Sequence, residues 1–368
     1  IDMNSNNFTI GIEEEYMICD PITGDLVDRA NQIMGMIPNA LQERFSYELL
    51  LSEIESNTSI SESVSNAVIK LAKNRNILND IGEKLDYKIG ISGTHPTANP
   101  NDQSFVKNES YNWVSENLKY YASQNITFAL HVHVGFENNE ELIHVANGMR
   151  RWVAPLLFLS CNSPFFNSSH TGFRSSRSMQ FGLFPRTGYP PKFSSYADFS
   201  ELIDVLINNK GVAKPRHLWW KLRPHTDFGT LEFRMFDAQR EFGNIEMLAS
   251  LAQALSYVAL SEYKENNLVE DFNLEILNDS LWKAIRYGGE AFIYDQITMA
   301  KYTLKDFVKL MVDYATPGLK FFNNYATIKQ VDRILEHGTE GDKQYFYFKN
   351  KFWAPFPNPV KLFFYALI

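Results

Sequence analysis

The chain has 368 residues, 45% of them hydrophobic and 21% charged, with a net charge of −8; that is enough for one large core or two smaller ones. The acidic balance, with no long basic block, argues against nucleic acid as a partner. No apolar run is long enough to span a bilayer, and Ile1–Asn7 lack the apolar core of a secretory signal. The two cysteines, Cys19 and Cys161, form neither a disulfide framework nor a CxxC metal site. They point to a reducing cytoplasm, each as a small buried residue.

Phe8–Cys19 reads as a strand. Thr9, Gly11, Glu13, Glu15 and Met17 fall on one face, and Phe8, Ile10, Ile12, Glu14, Tyr16 and Ile18 on the other. The second face is nearly all apolar and belongs on a core, with Glu14 on that face or at an exposed edge. The first sets two carboxylates side by side, which repel unless something positive lies between them. The turn signal Asp20-Pro21-Ile22-Thr23-Gly24-Asp25 makes this strand the opening arm of a hairpin. A short helix over Ala30–Ile37 follows, then a strand from Phe45 to Ser56, where Leu49, Leu51, Glu53 and Glu55 share a face. Ser59 with Glu62 forms a capping box for a long helix that carries Val64, Val68, Leu71, Leu78, Ile81 and Leu85 at helical spacing. Tyr87–Ser92 returns as a strand, and Thr97–Glu116 is polar and loop-like.

Thr127–Gly135 is the next strand, with Thr127, Ala129, His131 and His133 on one face. Asn139–Ser160 reads as one buried helix, Asn167–Lys192 as a long loop of the kind that usually carries function, and Tyr196–Asn208 as a helix. The strand Gly229–Asp237 alternates Thr230, Glu232, Arg234 and Phe236 against Leu231, Phe233, Met235 and Asp237. Ile245–Tyr263 is a hydrophobic helix. From about residue 264 the chain is mainly helical, with amphipathic segments at Leu304–Tyr314 and Ile328–His337. No repeat, low-complexity linker or sharp boundary divides it, so residues 8–368 read as a single domain. The aromatic-rich tail Phe346–Phe364 suits packing on the core or a subunit interface, leaving a homo-oligomer open.

Four separated strands each place ionisable side chains on what can be one face: Glu13/Glu15, Glu53/Glu55, His131/His133 and Glu232/Arg234. Hard cations such as Mg²⁺ and Mn²⁺ take carboxylate oxygens, and Mn²⁺ tolerates an imidazole. Each pair alone is weak: an HxH on a strand equally suits zinc or a solvated face. Their joint occurrence favours a metal floor. Arg174, Arg177, Arg186, Arg223 and Arg234 add guanidinium forks that match phosphate and carboxylate. Neither GxxxxGK[ST] nor GxGxxG occurs, so a bound nucleotide would be held by metal ions and arginines rather than by a glycine-rich loop. No Gly-x-Ser-x-Gly elbow supports a serine nucleophile.

In order, Gly11-Ile12-Glu13-Glu14-Glu15, the Glu53 strand, Gly93-Thr94-His95-Pro96, His131-Val132-His133-Val134-Gly135, Asn162-Ser163-Pro164, Ser176-Arg177, Phe184-Pro185-Arg186-Thr187-Gly188-Tyr189-Pro190, Arg223-Pro224 and Thr230-Leu231-Glu232-Phe233-Arg234 resemble the type 2 glutamate–cysteine ligase family, the carboxylate-amine ligases. The resemblance covers roughly Phe8 to Leu260. It implies an α+β fold related to glutamine synthetase, with a curved, mostly antiparallel sheet lining a funnel flanked by helices, the whole of 8–368 being one ligase domain. It implies ATP with Mg²⁺ or Mn²⁺, and ligation of glutamate to an amine such as cysteine through an acyl phosphate, in glutathione biosynthesis. Metal ligands by position would be Glu13, Glu15, Glu53, His131 and Glu232. Arg234 and Glu53 would be catalytic, and Arg177, Arg186, Arg223 and Arg234 would bind the nucleotide or substrate anions. The Asn167–Lys192 loop is the candidate lid. The alternatives are a metal-dependent hydrolase of phosphate or amide bonds, a ligase with another amine acceptor, and a catalytically silent binding protein.

Overall fold

The alternation of Ile10–Cys19 builds the central strand, β1, of a seven-stranded sheet in the computed structural model, which describes residues 7–107 and 109–351. The other strands are β2 (Phe45–Tyr47), β3 (Glu53–Asn57), β4 (Lys88–Gly90), β5 (Ala129–Gly135), β8 (Leu222–His225) and β9 (Thr230–Asp237). Two short hairpins lie apart, β6 (Phe165–Phe166) with β7 (Ser169–His170) and β10 (Phe292–Asp295) with β11 (Ala300–Thr303). The main sheet runs β2-β3-β1-β5-β9-β8, with β4 paired to β1, and its ladders are antiparallel. Register aligns the polar residues in cross-strand pairs: Glu15 faces Glu55, Glu13 faces His131, His133 faces Glu232, and Glu232 faces Arg223. Facing residues share a side of the sheet, so one face collects the charges.

The other face is apolar. Ile10, Ile12, Leu130, Val132, Val134, Leu231, Phe233 and Met235 are buried there in one large core. That core also takes in residues of α2 (Val64–Leu85), α5 (Asn139–Met149), α6 (Val153–Ser160) and α9 (Phe242–Lys264). Behind them, α10 (Leu274–Tyr287), α11 (Leu304–Phe321) and α12 (Ile328–His337) contribute Ala284, Val308 and Ile334 to the same core. A second core surrounds the end of β1, with α1 (Ala30–Met36) and the far end of α2. On the charged side lie α3 (Glu109–Leu118) and α7 (Ser176–Phe181), which both contribute to the cavity described below. The remaining helices are α4 (Tyr120–Ser123), α8 (Tyr196–Asn208) and α13 (Glu340–Lys351). Among the described residues no helix is long and apolar enough to cross a membrane.

Several expectations are corrected. The chain does turn back at Asp20–Asp25, but the hairpin is short, held by the Cys19–Leu26 bridge and the Val27 N–H on the Ile18 carbonyl; β1 pairs along its length with β3, β4 and β5 instead. The strand expected over Phe45–Ser56 is two strands separated by a turn. The cap of α2 is Ser63, whose side chain accepts the Asn66 N–H. Ser59 cannot cap it, because the chain from Thr58 to Ser61 is drawn out along β1, with reciprocal backbone bonds between Ile10 and Ser61. Thr97–Glu116 is not all loop: Tyr111, Val114 and Leu118 sit on one side of α3 at spacings of three and four, and Val114 is buried. The helix over Asn139–Ser160 is broken by a 3₁₀ turn at Arg150–Trp152. Pro155 explains the break, since it has no N–H and its ring clashes with the carbonyl four residues back. Asn167–Lys192 contains α7, and Arg177 on it is buried. The β10–β11 hairpin interrupts the helical C-terminal part. Most of the Phe346–Phe364 tail lies outside the described residues; Phe346 is exposed and Phe348 packs on Phe165.

In β9, register shifts between the pairs Leu130–Phe236 and Val132–Phe233. Three steps on β9 answer two on β5, which is a β-bulge around Arg234–Met235. Parity flips there. Phe236 joins the apolar core beside Phe233, and Asp237 faces the same side as its partner Ala129, hence the charged side. Simple alternation had placed both on the opposite faces.

Candidate active site

The charged face floors a cavity of about 340 Å³. Glu13, Glu15, Glu53, His131, Arg177, Arg223 and Arg234 all line it. Glu232 is fully buried, held between the lining residues Arg223 and Arg234. Arg223 donates from Nε to Glu232 Oε2 at 2.5 Å, and Arg234 Nη1 bonds the other oxygen. The Glu232 carboxyl is held well below the usual range: burial pushes it up, but Arg223 and Arg234 outweigh burial. His131 Nδ1 lies 3.1 Å from Glu13 Oε2 and 3.8 Å from Glu232; His133 Nε2 lies 3.3 Å from Glu13 Oε1. Glu13 is likewise held low, burial being overcome chiefly by His133. The two imidazoles divide: burial and then Arg234 lower His131, whereas Glu13 and Glu232 raise His133 against its burial.

Two sets of side-chain atoms converge closely enough to hold a cation, Glu13/His131/Glu232 and Glu15/Glu55/His131, each within 4.8 Å. His131 Nε2 is buried without a hydrogen-bond partner. The carboxyls of Glu48, Glu53 and Glu55 are pushed well above their ordinary range by burial and by one another's charge and that of Glu15 or Glu13. A buried imidazole nitrogen left unpaired beside mutually repelling carboxylates is the donor chemistry of a hard divalent cation, so the residues present fit the metal the sequence implied. Glu53 lines the cavity but belongs to neither set, whereas Glu55 belongs to the second.

Arg186 does not line this cavity. It stands behind the wall with Nη2 donating to the Gly211 carbonyl at 2.9 Å, in a left-handed backbone conformation (φ +59°). Arg174 pairs with Asp342 at 2.5 Å, also away from the site. His225 stacks on Phe228, ring centres 4.1 Å apart, at the edge of the sheet. Glu48, Arg216, His217, Tyr111 and Trp219 line the cavity without having been singled out. Glu48 escaped because its even number placed it opposite Glu53 and Glu55 on an unbroken strand, and the turn between β2 and β3 cancels that parity. Tyr111 was marked by the i, i+3, i+7 spacing of α3. Arg216 and His217 sit on a single 3₁₀ turn, Pro215–His217, which carries no periodic signal.

A second cavity of about 720 Å³ opens on the far side of Glu13 and His133. Gly11, Ile60, Phe136 and Phe228 line it, and it is the more apolar of the two.

Comparison with known proteins agrees with this arrangement. The family model described as "Glutamate-cysteine ligase family 2(GCS2)" matches residues 9–351. A protein of Herpetosiphon aurantiacus named "Putative glutamate--cysteine ligase 2" is 32% identical over 337 residues, covering 92% of this chain and 88% of that one. Among solved structures, the glutamate–cysteine ligase of Francisella tularensis in complex with AMP superposes with a TM-score of 0.74 at 13% identity, over 100% of this chain and 88% of that one. A bifunctional glutathione synthetase from Pasteurella multocida gives 0.69 at 11% identity, over 98% and 52%. The family match makes the class an ATP-dependent C–N ligase, and the antiparallel sheet with helices behind it and a carboxylate floor in front agrees with it. Within that class, the chain belongs to glutamate–cysteine ligase family 2.

Proposed function

We propose that the protein joins the γ-carboxylate of glutamate to the amine of cysteine at the expense of ATP, through γ-glutamyl phosphate, with ADP and phosphate as the other products. The observation that carries this reading is the convergence of Glu13/His131/Glu232 and Glu15/Glu55/His131 beside Arg177, Arg223 and Arg234. Phosphoryl transfer needs positioning and charge neutralisation more than covalent help. Mg²⁺ or Mn²⁺ held by Glu13, Glu15, Glu55, His131 and Glu232 would supply Lewis-acid neutralisation of phosphate oxygens. Arg234, oriented by Glu232 and with its Nε buried and unbonded, stabilises the charge of the transferring group. Arg177 and Arg223 hold substrate anions in the same cavity. Glu53, which lines the cavity outside both cation sets, takes the proton that the attacking ammonium must lose. The larger apolar cavity beyond Glu13 suits the nucleoside end of ATP, and the arginine-lined cavity suits the amino acids. The free, buried thiols of Cys19 and Cys161 support a reducing cytoplasm, where the product would feed glutathione synthesis. The packing of α10 to α12 into the same core as β1 supports one catalytic domain.

Mass spectrometry of products from ATP, Mg²⁺ or Mn²⁺, glutamate and a pool of amines that includes cysteine is the direct test. A γ-glutamyl amide that forms only with ATP is expected. Cysteine left unreacted while another amine is consumed would move the acceptor; turnover of a peptide or phosphoester without ATP would sink the ligase reading.

The floor also predicts a metal effect on the fold itself. In chelator-treated protein, Mn²⁺ or Mg²⁺ at a hundred times its dissociation constant should stabilise by about 2.7 kcal/mol. For a chain of this length that is a rise in Tm of roughly 3 °C. The gain should shrink in Glu55→Gln, which leaves the Glu13/His131/Glu232 set intact, and vanish in His131→Ala, which removes the ligand both sets share; a rise unaltered by His131→Ala would place the ion elsewhere.

A further inference from the structure

Asp237 is a carboxylate on the charged side that the reaction above does not use. The β9 bulge turns it inward, and it is fully buried. Three segments that looked unrelated in sequence meet on it. Its Oδ2 accepts the Asn162 N–H at 2.8 Å and the Ser163 hydroxyl at 2.7 Å; its Oδ1 accepts the Ser175 hydroxyl at 2.8 Å. Gly93 packs so closely that a Cβ there would stand 2.6 Å from Asp237 Cγ. Both serines then hold the start of α7. Ser163 Oγ accepts the Arg177 N–H at 3.1 Å, and Ser175 Oγ caps the helix by accepting the Ser178 N–H at 3.2 Å.

Arg177 is the residue these bonds orient. Its guanidinium is buried and lines the cavity. Nη2 donates to the Arg234 carbonyl at 3.1 Å, Nη1 stands 4.0 Å from Asp237 Oδ1, and Nε has no hydrogen-bond partner. A guanidinium facing Glu15 and Glu53 would otherwise be drawn onto those carboxylates and neutralise the floor. Asp237 supplies a counter-charge from behind, at a distance too long for a closed bidentate pair. We propose that Asp237 is a positioning residue. Through Ser163, Ser175 and the first turn of α7 it holds Arg177 pointed into the cavity as a receptor for a substrate anion. The inference rests on the ligase reading for the identity of that anion, an ATP phosphate or the glutamate carboxylate.

The test is calorimetric titration of the full chain, in Mg²⁺, with ATP and separately with glutamate. If the wild-type protein binds neither, the ligase reading itself falls, before any variant is compared. Otherwise Arg177→Ala should weaken one of the two ligands by about tenfold or more, the range of a lost hydrogen bond to a charged group. Asp237→Asn should weaken the same ligand by a comparable factor, and the double variant should bind no more than about twofold weaker than Arg177→Ala alone, because both act through one guanidinium. Independent, multiplying effects, or an Asp237→Asn that lowers Tm with both affinities unchanged, would overturn the proposal. Should Asp237→Asn not fold, Ser175→Ala replaces it in the same cycle, with a smaller loss on the same ligand; wild-type affinity for both ligands in Ser175→Ala would equally overturn it.

Discussion

Glu232→Gln is expected to lower the maximal rate of glutamate-dependent ADP release by about a hundred- to a thousandfold, the loss that follows removal of one preorganised electrostatic contact at a charged transition state. Three functions end at this one side chain. It holds Arg223 on one oxygen and Arg234 on the other, and it contributes to a cation set with Glu13 and His131. A glutamine offers one oxygen and one NH₂, so it can satisfy only one of the two guanidiniums and turns a donor toward the second. Arg234 then loses the partner that orients it. The substitution also removes one member of a buried charged group, which typically costs about 3–5 kcal/mol; for a chain of this size that is a fall in Tm of about 5 °C, leaving the protein folded at 25 °C. The check is the rate per folded molecule, with circular dichroism alongside. More than a tenth of the wild-type rate in a folded Glu232→Gln would remove Glu232 from the reaction.

The part of this site that strand alternation reveals is the part that lies on regular strand. Glu13, Glu15, His131, His133 and Glu232 could be assigned to one face because β1, β5 and the first half of β9 keep a strict period of two. Where regularity ends, so does legibility. Phe236 and Asp237 were given the wrong faces because a bulge adds one residue to β9, and nothing in Arg234-Met235 marks it. Glu48 was hidden by the turn between β2 and β3, which resets parity. Ser59 satisfied the pattern of a cap but lies in a segment drawn out by its neighbours Thr58 and Ser61, which bond to β1, a strand distant in sequence. Pro155 was different: its effect on the helix at Arg150–Trp152 is local and could have been read. The arginines needed the fold most. Arg177, Arg186 and Arg223 look alike in sequence, and only α7 and β8 bring two of them to the cavity while Arg186 turns to the Gly211 carbonyl.

The three consecutive glutamates of β1 make the sharpest contrast in the molecule. Glu14→Ala is expected to lower the stability of the protein by about 3–5 kcal/mol, a fall in Tm of about 5 °C for this length, with the rate per folded molecule close to wild type. Glu15→Gln is expected to do the reverse, abolishing turnover with little change in Tm. Glu14 is fully buried on the side away from the cavity, not at an exposed edge. There Arg75 grips it from two sides, Nε to Oε2 at 2.8 Å and Nη2 to Oε1 at 2.5 Å. The same guanidinium donates to the carbonyls of Gln239 and Arg240 and lies over the Phe242 ring at 4.3 Å. It thereby ties α2 and β1 to the turn that follows β9. Without the carboxylate, that cation stays buried among groups that cannot neutralise it, and the cost is its desolvation. Glu15 lines the cavity instead, and the bond it makes to β5, Oε2 accepting the Ala129 N–H at 2.5 Å, is one that a glutamine oxygen can keep. Thermal melts and steady-state rates measured on both variants decide the matter. Loss of turnover in Glu14→Ala without a shift in Tm would mean that the side chain reaches the substrate, and that the register of β1 against β3 and β5 is off by one residue.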